Sequence, residues 1–177
     1  PAVRRWSWPV KLPKLLQRGQ VRHSRDPHRC TSRPLTPRRR VISSNIAGMT
    51  PLQMAKLHAA AFTTQRPWSE TEFATLIESP HVFIITDPYC FALGRAVADE
   101  VELLTLATNP NQQRHGHAQR CLKRFHQAAR ARQASTALLE VASDNQAACR
   151  LYENNHYSII AERPNYYHRP NGQRIAA

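Results

Sequence analysis

Apolar and polar positions change rhythm several times along this chain, and each change marks a short element between residues 51 and 161. Across residues 51–62, Leu52, Leu57, Ala60 and Ala61 fall near one helical face, and Pro51 suits a first turn, where its missing N–H costs nothing. A first helix is predicted there. Ser69 and Glu72 stand at the spacing of a capping box, in which each side chain satisfies an amide left open at a helix start, so a second helix begins near Glu70. Residues 81–86 and 91–98 are two β-rich apolar runs split by Asp87-Pro88, the second carrying Gly94, and they predict a hairpin. Val101 to Thr108 continues as a third strand and stops at Asn109-Pro110.

The period then changes. Ala118, Cys121, Leu122, Phe125, Ala128 and Ala129 recur at i, i+3, i+4, i+7, i+10 and i+11, an amphipathic helix. From Thr136 to Ala142 the period is two, with Ala137, Leu139 and Val141 on one side and Leu138, Glu140 and Ala142 on the other. Glu140 is thus a charge among apolar neighbours. Asp144 or Asn145 caps a helix reaching about Asn154, and Tyr157 to Ala161 reads as a last strand before a polar tail. The order ααβββαβαβ predicts an α+β (α/β mixed-sheet) domain, without internal repeats.

With 177 residues and 41% hydrophobic content the chain can build one full core. Its net charge of +13 suggests a nucleic-acid binder until it is divided along the chain. Residues 1–48 hold 12 of the 25 Lys and Arg and one of the 12 acids, Asp26, so the basicity belongs to this leader. With six of the 13 prolines and no persistent apolar pattern, residues 1–48 are expected to be disordered. Met49 is the first methionine, which favours an upstream extension ahead of a single catalytic domain at 49–177. Two functional readings compete with that one. An Arg-rich, acid-poor leader resembles an organelle transit peptide, although Pro9, Pro13, Pro27, Pro34 and Pro37 interrupt any amphipathic helix. Alternatively, Arg38, Arg39 and Arg40 form a basic arm for RNA phosphates. Cys30, Cys90, Cys121 and Cys149 show no CxxC, and the chain has neither a secretory segment nor a run near the ~20 apolar residues of a membrane span, which fits a soluble protein of the reducing cytoplasm.

Candidate chemistry centres on two places. Gln113-x-x-Gly116-x-Ala118 follows a strand and opens the amphipathic helix, where converging backbone amides and the positive end of the helix dipole hold phosphates without a lysine. Gly116 would let the backbone close on a diphosphate, Ala118 is small enough for the same approach, and Arg114 adds a charge. Alone the motif is weak, but its strand-loop-helix setting strengthens it; the missing Lys-Ser/Thr argues against a nucleotide-hydrolysing P-loop. The second place joins Glu140 on its strand to Tyr152 one helix later. Acyl transfer from a thioester to an amine needs a base for the amine and an acid for the departing thiolate. A glutamate on an apolar strand face should titrate high through desolvation and so can accept a proton directly or through water. The bland alternatives are an edge charge facing water for Glu140 and a core tyrosine for Tyr152. His115 and His117, with no third ligand nearby, read as loop histidines rather than a metal site, and the absence of G-x-S-x-G disfavours covalent catalysis.

From Met49 to about Gly172 the chain resembles the GNAT acyltransferases, and within them the bacterial enzymes that acetylate the N-terminal alanine of ribosomal proteins (the RimI type). The matching pieces are Pro67-Trp68-Ser69-Glu70, Gln113-x-x-Gly116-x-Ala118, Leu139-Glu140-Val141, Asn145-x-x-Ala148-x-x-Leu151-Tyr152 and Arg163-x-x-Tyr166-Tyr167. The resemblance implies a central, mostly antiparallel sheet flanked by helices, with acetyl-CoA as co-substrate. It implies pantetheine contacts from the backbone of Leu106, Ala107 and Thr108, diphosphate amides from Arg114, His115, Gly116, His117, Ala118 and Gln119, and a further contact from Asn145. Glu140 would be the base, Tyr152 the acid, and Arg163, Tyr166 and Tyr167 a substrate-side segment, although the two tyrosines could equally be packing aromatics. The implied acceptor is a protein N-terminus, such as that of a ribosomal protein. A protein α-amine near pKa 8 is about a tenth neutral at pH 7, so modest base assistance suffices, whereas lysine needs far more.

Two departures from the family pattern stand out. Where Gly-Phe usually ends the Leu-Tyr helix this chain has His156-Tyr157, so Asn154 or Asn155 is expected to take the left-handed position. The usual last strand is reduced to Gln173-Arg-Ile-Ala-Ala177, which predicts an incomplete substrate groove. Two rival functions therefore stand beside the N-terminal acetyltransferase. One is a non-catalytic RNA- or ribosome-binding module on a degenerate acyltransferase scaffold, with nucleic acid engaged through residues 1–48. The other is an acetyltransferase for a different small amine.

Overall fold

The computed structural model describes residues 3–9 and 48–163, and the backbone of 167–168 and 174–175. From residue 51 onward the predicted order is present. Helix α1 (Pro51–Ala61) opens with a capping box between Thr50 and Gln53 that the sequence reading missed, and α2 (Glu70–Glu78) opens with the expected box between Ser69 and Glu72. Strands β2 (Val82–Asp87), β3 (Cys90–Val97) and β4 (Glu100–Thr108) form an antiparallel meander. Helix α3 (His117–Ala131), β5 (Thr136–Ala142), α4 (Gln146–Glu153) and β6 (Ser158–Arg163) follow. A two-residue hairpin, β7 (Tyr167–His168) and β8 (Arg174–Ile175), forms a separate small sheet.

The leader departs from expectation. Val3–Pro9 is not disordered; it is strand β1, paired antiparallel with β5 on one side and β6 on the other, which gives a sheet order of β2-β3-β4-β5-β1-β6. The physical reason is the Trp6-Ser7-Trp8 alternation. Trp6 is 1% and Trp8 7% exposed, both in the core beneath α3, and Trp8 stacks on His126 with centroids 3.9 Å apart while Arg130 lies over its ring. Burial of two indoles and ladder pairing with strands on both sides together oppose the cost of ordering this seven-residue strand. The sheet beside β5 is therefore continued by the N-terminal strand, which separates β5 from β6. Arg38, Arg39, Arg40 and Cys30 lie outside the described residues.

Two cores flank the sheet. One face packs β residues against Cys121, Leu122, Phe125 and Ala129 of α3 and Cys149 and Tyr152 of α4; the other packs Phe91, Leu93 and Ala107 against Met54 of α1 and Phe73 of α2. Gly94 lets α3 approach β3 closely, since a Cβ there would stand 2.6 Å from the Phe125 ring. A bulge opposite Leu93/Gly94 resets the alternation of β4, so Val101 and Leu103 face the α3 core while Ala107 faces the other. Cys90, Cys121 and Cys149 are buried and unbridged. Among the described residues no helix is long and apolar enough to cross a membrane.

The end of α4 also differs from expectation. Asn154 stays helical and His156 itself takes the left-handed conformation, at φ +65°. Its N–H donates to the Glu153 carbonyl at 3.0 Å and that of Tyr157 to the Tyr152 carbonyl at 3.1 Å, the paired bonds of a Schellman ending. Asn155 is held elsewhere, because its side-chain amide donates to the Leu151 carbonyl at 2.7 Å and exchanges hydrogen bonds with Gln119.

Candidate active site

The one parallel pairing in the sheet, β4 with β5, runs only from Glu100↔Thr136 to Leu103↔Leu139. Beyond it the strands part. Among the described residues, 104–108 of β4 then have β3 on one side and no strand on the other, and the sheet opens as a wedge at the C-terminal ends of β4 and β5. Leu106, Ala107 and Thr108 all lie in this stretch, so one backbone edge of β4 is left for an extended chain carrying amides. In the same stretch the Thr105 hydroxyl oxygen is buried without a partner, which is the kind of group a bound amide would satisfy.

At the mouth of the wedge, Pro110–Gln112 forms a single 3-10 turn and Arg114 and Gly116 both take left-handed conformations, at φ +63° and +79°. Such a conformation is uncommon for arginine and is the kind of local strain concentrated at functional turns. Gly116 is the N-cap of α3 and supplies no side-chain cap, so the first amides of the helix are left to an outside acceptor. Arg114 to Gln119 therefore line one turn. A diphosphate fits this donor set: uncapped amides, the positive end of a fifteen-residue helix, and a glycine where the backbone must be approached.

That turn is underpinned by side chains. Arg120 donates through Nε to the Asp87 carboxylate at 3.0 Å, through one terminal nitrogen to the His115 carbonyl at 3.1 Å, and through the other to His117 Nδ1 at 2.6 Å. His117 Nδ1 lies 3.3 Å from the same Asp87 oxygen, and the His117 and Asp87 side chains are each only 10% exposed. The Tyr89 ring meets the His117 ring edge-on at 5.1 Å. Among the described residues no cluster of His, Cys, Asp and Glu could hold a metal ion.

Glu140 and Tyr152 flank the wedge from opposite faces of the sheet. Leu139 and Val141 belong to the α3 core, so the alternation of β5 turns Glu140 to the other face. There the apolar surroundings expected of it are absent: Glu140 is exposed, with its carboxylate 3.9 Å from the Arg163 guanidinium. Among the described residues, helices α1 and α2 pack mainly on β4 and β2. Strand β1 sets Arg5 in direct register opposite Glu140. Tyr152 comes from the opposite side, 7% exposed within the α3 core and edge-on to Tyr157 at 5.7 Å. Burial pushes its phenol well above the usual tyrosine range, and the nearby Cys149 and Cys90 thiols push it further in the same direction. Burial thus favours the protonated form of Tyr152.

Asn145 is the N-cap of α4, its side-chain oxygen accepting from the Ala148 N–H at 3.1 Å. Arg163 ends β6 and faces Glu140, whereas Tyr166 and the Tyr167 side chain lie outside the described residues. The sequence reading missed Arg5, Asp87 and Arg120. For Arg5 the alternation of the two tryptophans was a usable signal; Asp87 reads only as a turn residue, because its partners lie 30 and 33 positions away.

Residues 53–157 match the acetyltransferase (GNAT) family profile, a span that leaves out β1. The [ribosomal protein bS18]-alanine N-acetyltransferase of Escherichia coli K12 is 32% identical over 133 residues, covering 71% of this chain and 90% of that protein. The crystal structure of the Escherichia coli ribosomal-protein-S18-alanine N-acetyltransferase superposes with a TM-score of 0.61 at 29% identity, over 68% of this chain and 79% of that one. Ard1 from Thermoplasma volcanium shares the fold, with a TM-score of 0.58 at 24% identity, covering 67% of this chain and 85% of its own. Matched by the profile over more than half its length, the chain belongs to the GNAT family and is an N-acetyltransferase.

Proposed function

We propose that this chain transfers an acetyl group from acetyl-CoA to the N-terminal α-amine of a protein, with a ribosomal protein as the acceptor class, by direct attack and without a covalent enzyme intermediate. The observation that carries the reading is the wedge between β4 and β5, which has an amide-lined turn at its mouth, a carboxylate on one face and a dry phenol on the other. GNAT enzymes use acetyl-CoA as co-substrate. Bound here, it supplies the activated acetyl group. The amides of Arg114 to Gln119 hold the diphosphate, the free edge of β4 at Leu106 to Thr108 pairs with the pantetheine amides, and Asn145 borders the cofactor at the start of α4.

Glu140 takes the proton that the attacking amine sheds as its nitrogen bonds to the acetyl carbon, directly or through water, since its carboxylate faces the open acceptor side. Arg163 holds that carboxylate in place. As the carbon–sulfur bond breaks, Tyr152 gives its phenolic proton to the departing sulfur. A thiolate expelled into the same dry surroundings is itself destabilised, which narrows the gap in proton affinity between it and the phenolate. Relatives named for alanine N-acetylation at 32% identity support an α-amine acceptor.

Acetylation of a peptide panel beginning with Ala, Ser or Met, with lysine-bearing and polyamine acceptors alongside, tests this by mass spectrometry. Ala- or Ser-starting peptides should be modified on the α-amine, and Glu140→Gln and Tyr152→Phe should each lower kcat by about 10²- to 10⁴-fold, the usual worth of general acid–base assistance, while still binding acetyl-CoA. Modification of polyamines alone would replace the acceptor assignment, and full turnover by both variants would remove the two catalytic roles.

A further inference from the structure

We propose that Asp87 and Arg120 are positioning residues that hold the diphosphate-binding turn in its receiving shape before any ligand arrives. The inference rests on the acetyl-CoA reading above and adds to it a side-chain brace behind the turn. One guanidinium ties three parts of the structure together: the Asp87 carboxylate at the end of β2, the His115 carbonyl inside the turn, and the His117 ring in the first position of α3. The His115 bond fixes the peptide just before Gly116, whose left-handed φ sets the direction of the amides that follow. A Cβ on Gly116 would lie 3.3 Å from an Arg120 terminal nitrogen, so the guanidinium sits directly beneath the turn.

Two groups converge on His117 Nδ1, the Arg120 guanidinium at 2.6 Å and the Asp87 carboxylate at 3.3 Å, so the ring is clamped between them at the start of α3. Asp87 then serves as the counter-ion of Arg120, and at 10% exposure it is held in place rather than free to follow a mobile partner. A turn with two left-handed residues has many looser alternatives in the absence of such a brace. Removing them beforehand lowers the ordering cost that a bound diphosphate would otherwise meet.

The test uses Asp87→Asn and Arg120→Gln in the full chain, with two donors that share the reacting end but differ in the diphosphate: acetyl-CoA and S-acetylpantetheine. Calorimetry should show CoA bound about 10-fold more weakly by either variant. Transfer from acetyl-CoA should lose a similar factor through KM, while kcat/KM with S-acetylpantetheine is unchanged. Hydrogen exchange of the unliganded variants should be faster at the amides of 115–118 and unaltered in β3. Unchanged CoA affinity in both variants overturns the proposal. So does an equal loss with both donors accompanied by a lower Tm, which assigns the cluster a purely structural role. A parent protein that binds no CoA defeats the acetyl-CoA reading instead, and exchange at 115–118 then still reports whether the two side chains brace the turn.

Discussion

Replacing Trp6 with alanine is the sharpest test of a sheet completed from the N-terminal end. Trp6 is 1% exposed and lies opposite Leu139 of β5, within the core shared with α3. Truncating a buried tryptophan to alanine ordinarily costs about 3–5 kcal/mol. The indole N–H of Trp6 is buried without a partner, and such a group forfeits about 1–3 kcal/mol of what the ring contributes. The net expectation for Trp6→Ala is a loss of about 2 kcal/mol, the difference of the two mid-range values. Tm should then fall by roughly 4–8 °C for a chain of this size. Trp6→Phe keeps a ring and discards the unpartnered donor, so it should stay within about 1 kcal/mol of the parent. Urea unfolding followed by circular dichroism measures both, and the alanine variant should retain the parent m-value while its midpoint drops. If Trp6→Ala unfolds at the parent midpoint, β1 does not stand between β5 and β6, and the sheet order β5-β1-β6 goes with it.

Other consequences are testable on the same samples. His156→Gly should stabilise the protein by about 1 kcal/mol, because glycine takes the left-handed ending of α4 without the steric penalty histidine bears there; a loss of stability would contradict the Schellman geometry. Burial drives both His58 and His126 down to about 4, so each is neutral in the folded protein and charges near 6.5 once unfolded. Their depressed values make stability complete above about pH 7 and progressively lost as pH falls toward 4, by about 2 kcal/mol per histidine at pH 5. His126→Phe should remove roughly half of that loss between pH 8 and pH 5, and an equal pH dependence in parent and variant would refute the assignment. Gly116→Ala should weaken CoA binding at least 10-fold, since it meets both an unfavourable φ and Arg120, the backbone strain alone being worth about 1–2 kcal/mol; parent affinity would contradict the turn geometry.

Much of this architecture was legible because it is local. The capping box at Ser69, the stripe from Ala118 to Ala129 and the alternation of β5 are each set by residues within a few positions of one another, and each stands where it was predicted. What escaped depends on distance. Trp6-Ser7-Trp8 does alternate, but its partners in β5 lie about 130 residues on, and two flanking arginines and a proline disguise the strand as basic tail. The face of Glu140 could be read from its period, yet its surroundings could not. Those are set by where α1 and α2 pack, mainly on β4 and β2, with Glu140 left exposed on β5. Likewise, nothing near Asp87 announces Arg120, because the fold alone brings the hairpin against the start of α3.

The account as a whole depends on what enters the wedge between β4 and β5. A crystal structure of the full chain soaked with CoA addresses this directly. The account predicts the diphosphate on the amides of Arg114 to Gln119, the pantetheine along Leu106 to Thr108, and the sulfur within hydrogen-bonding reach of the Tyr152 hydroxyl with its acceptor side toward Glu140. Density for CoA on another surface, or a sulfur screened from Tyr152 by the closed sheet, would contradict it.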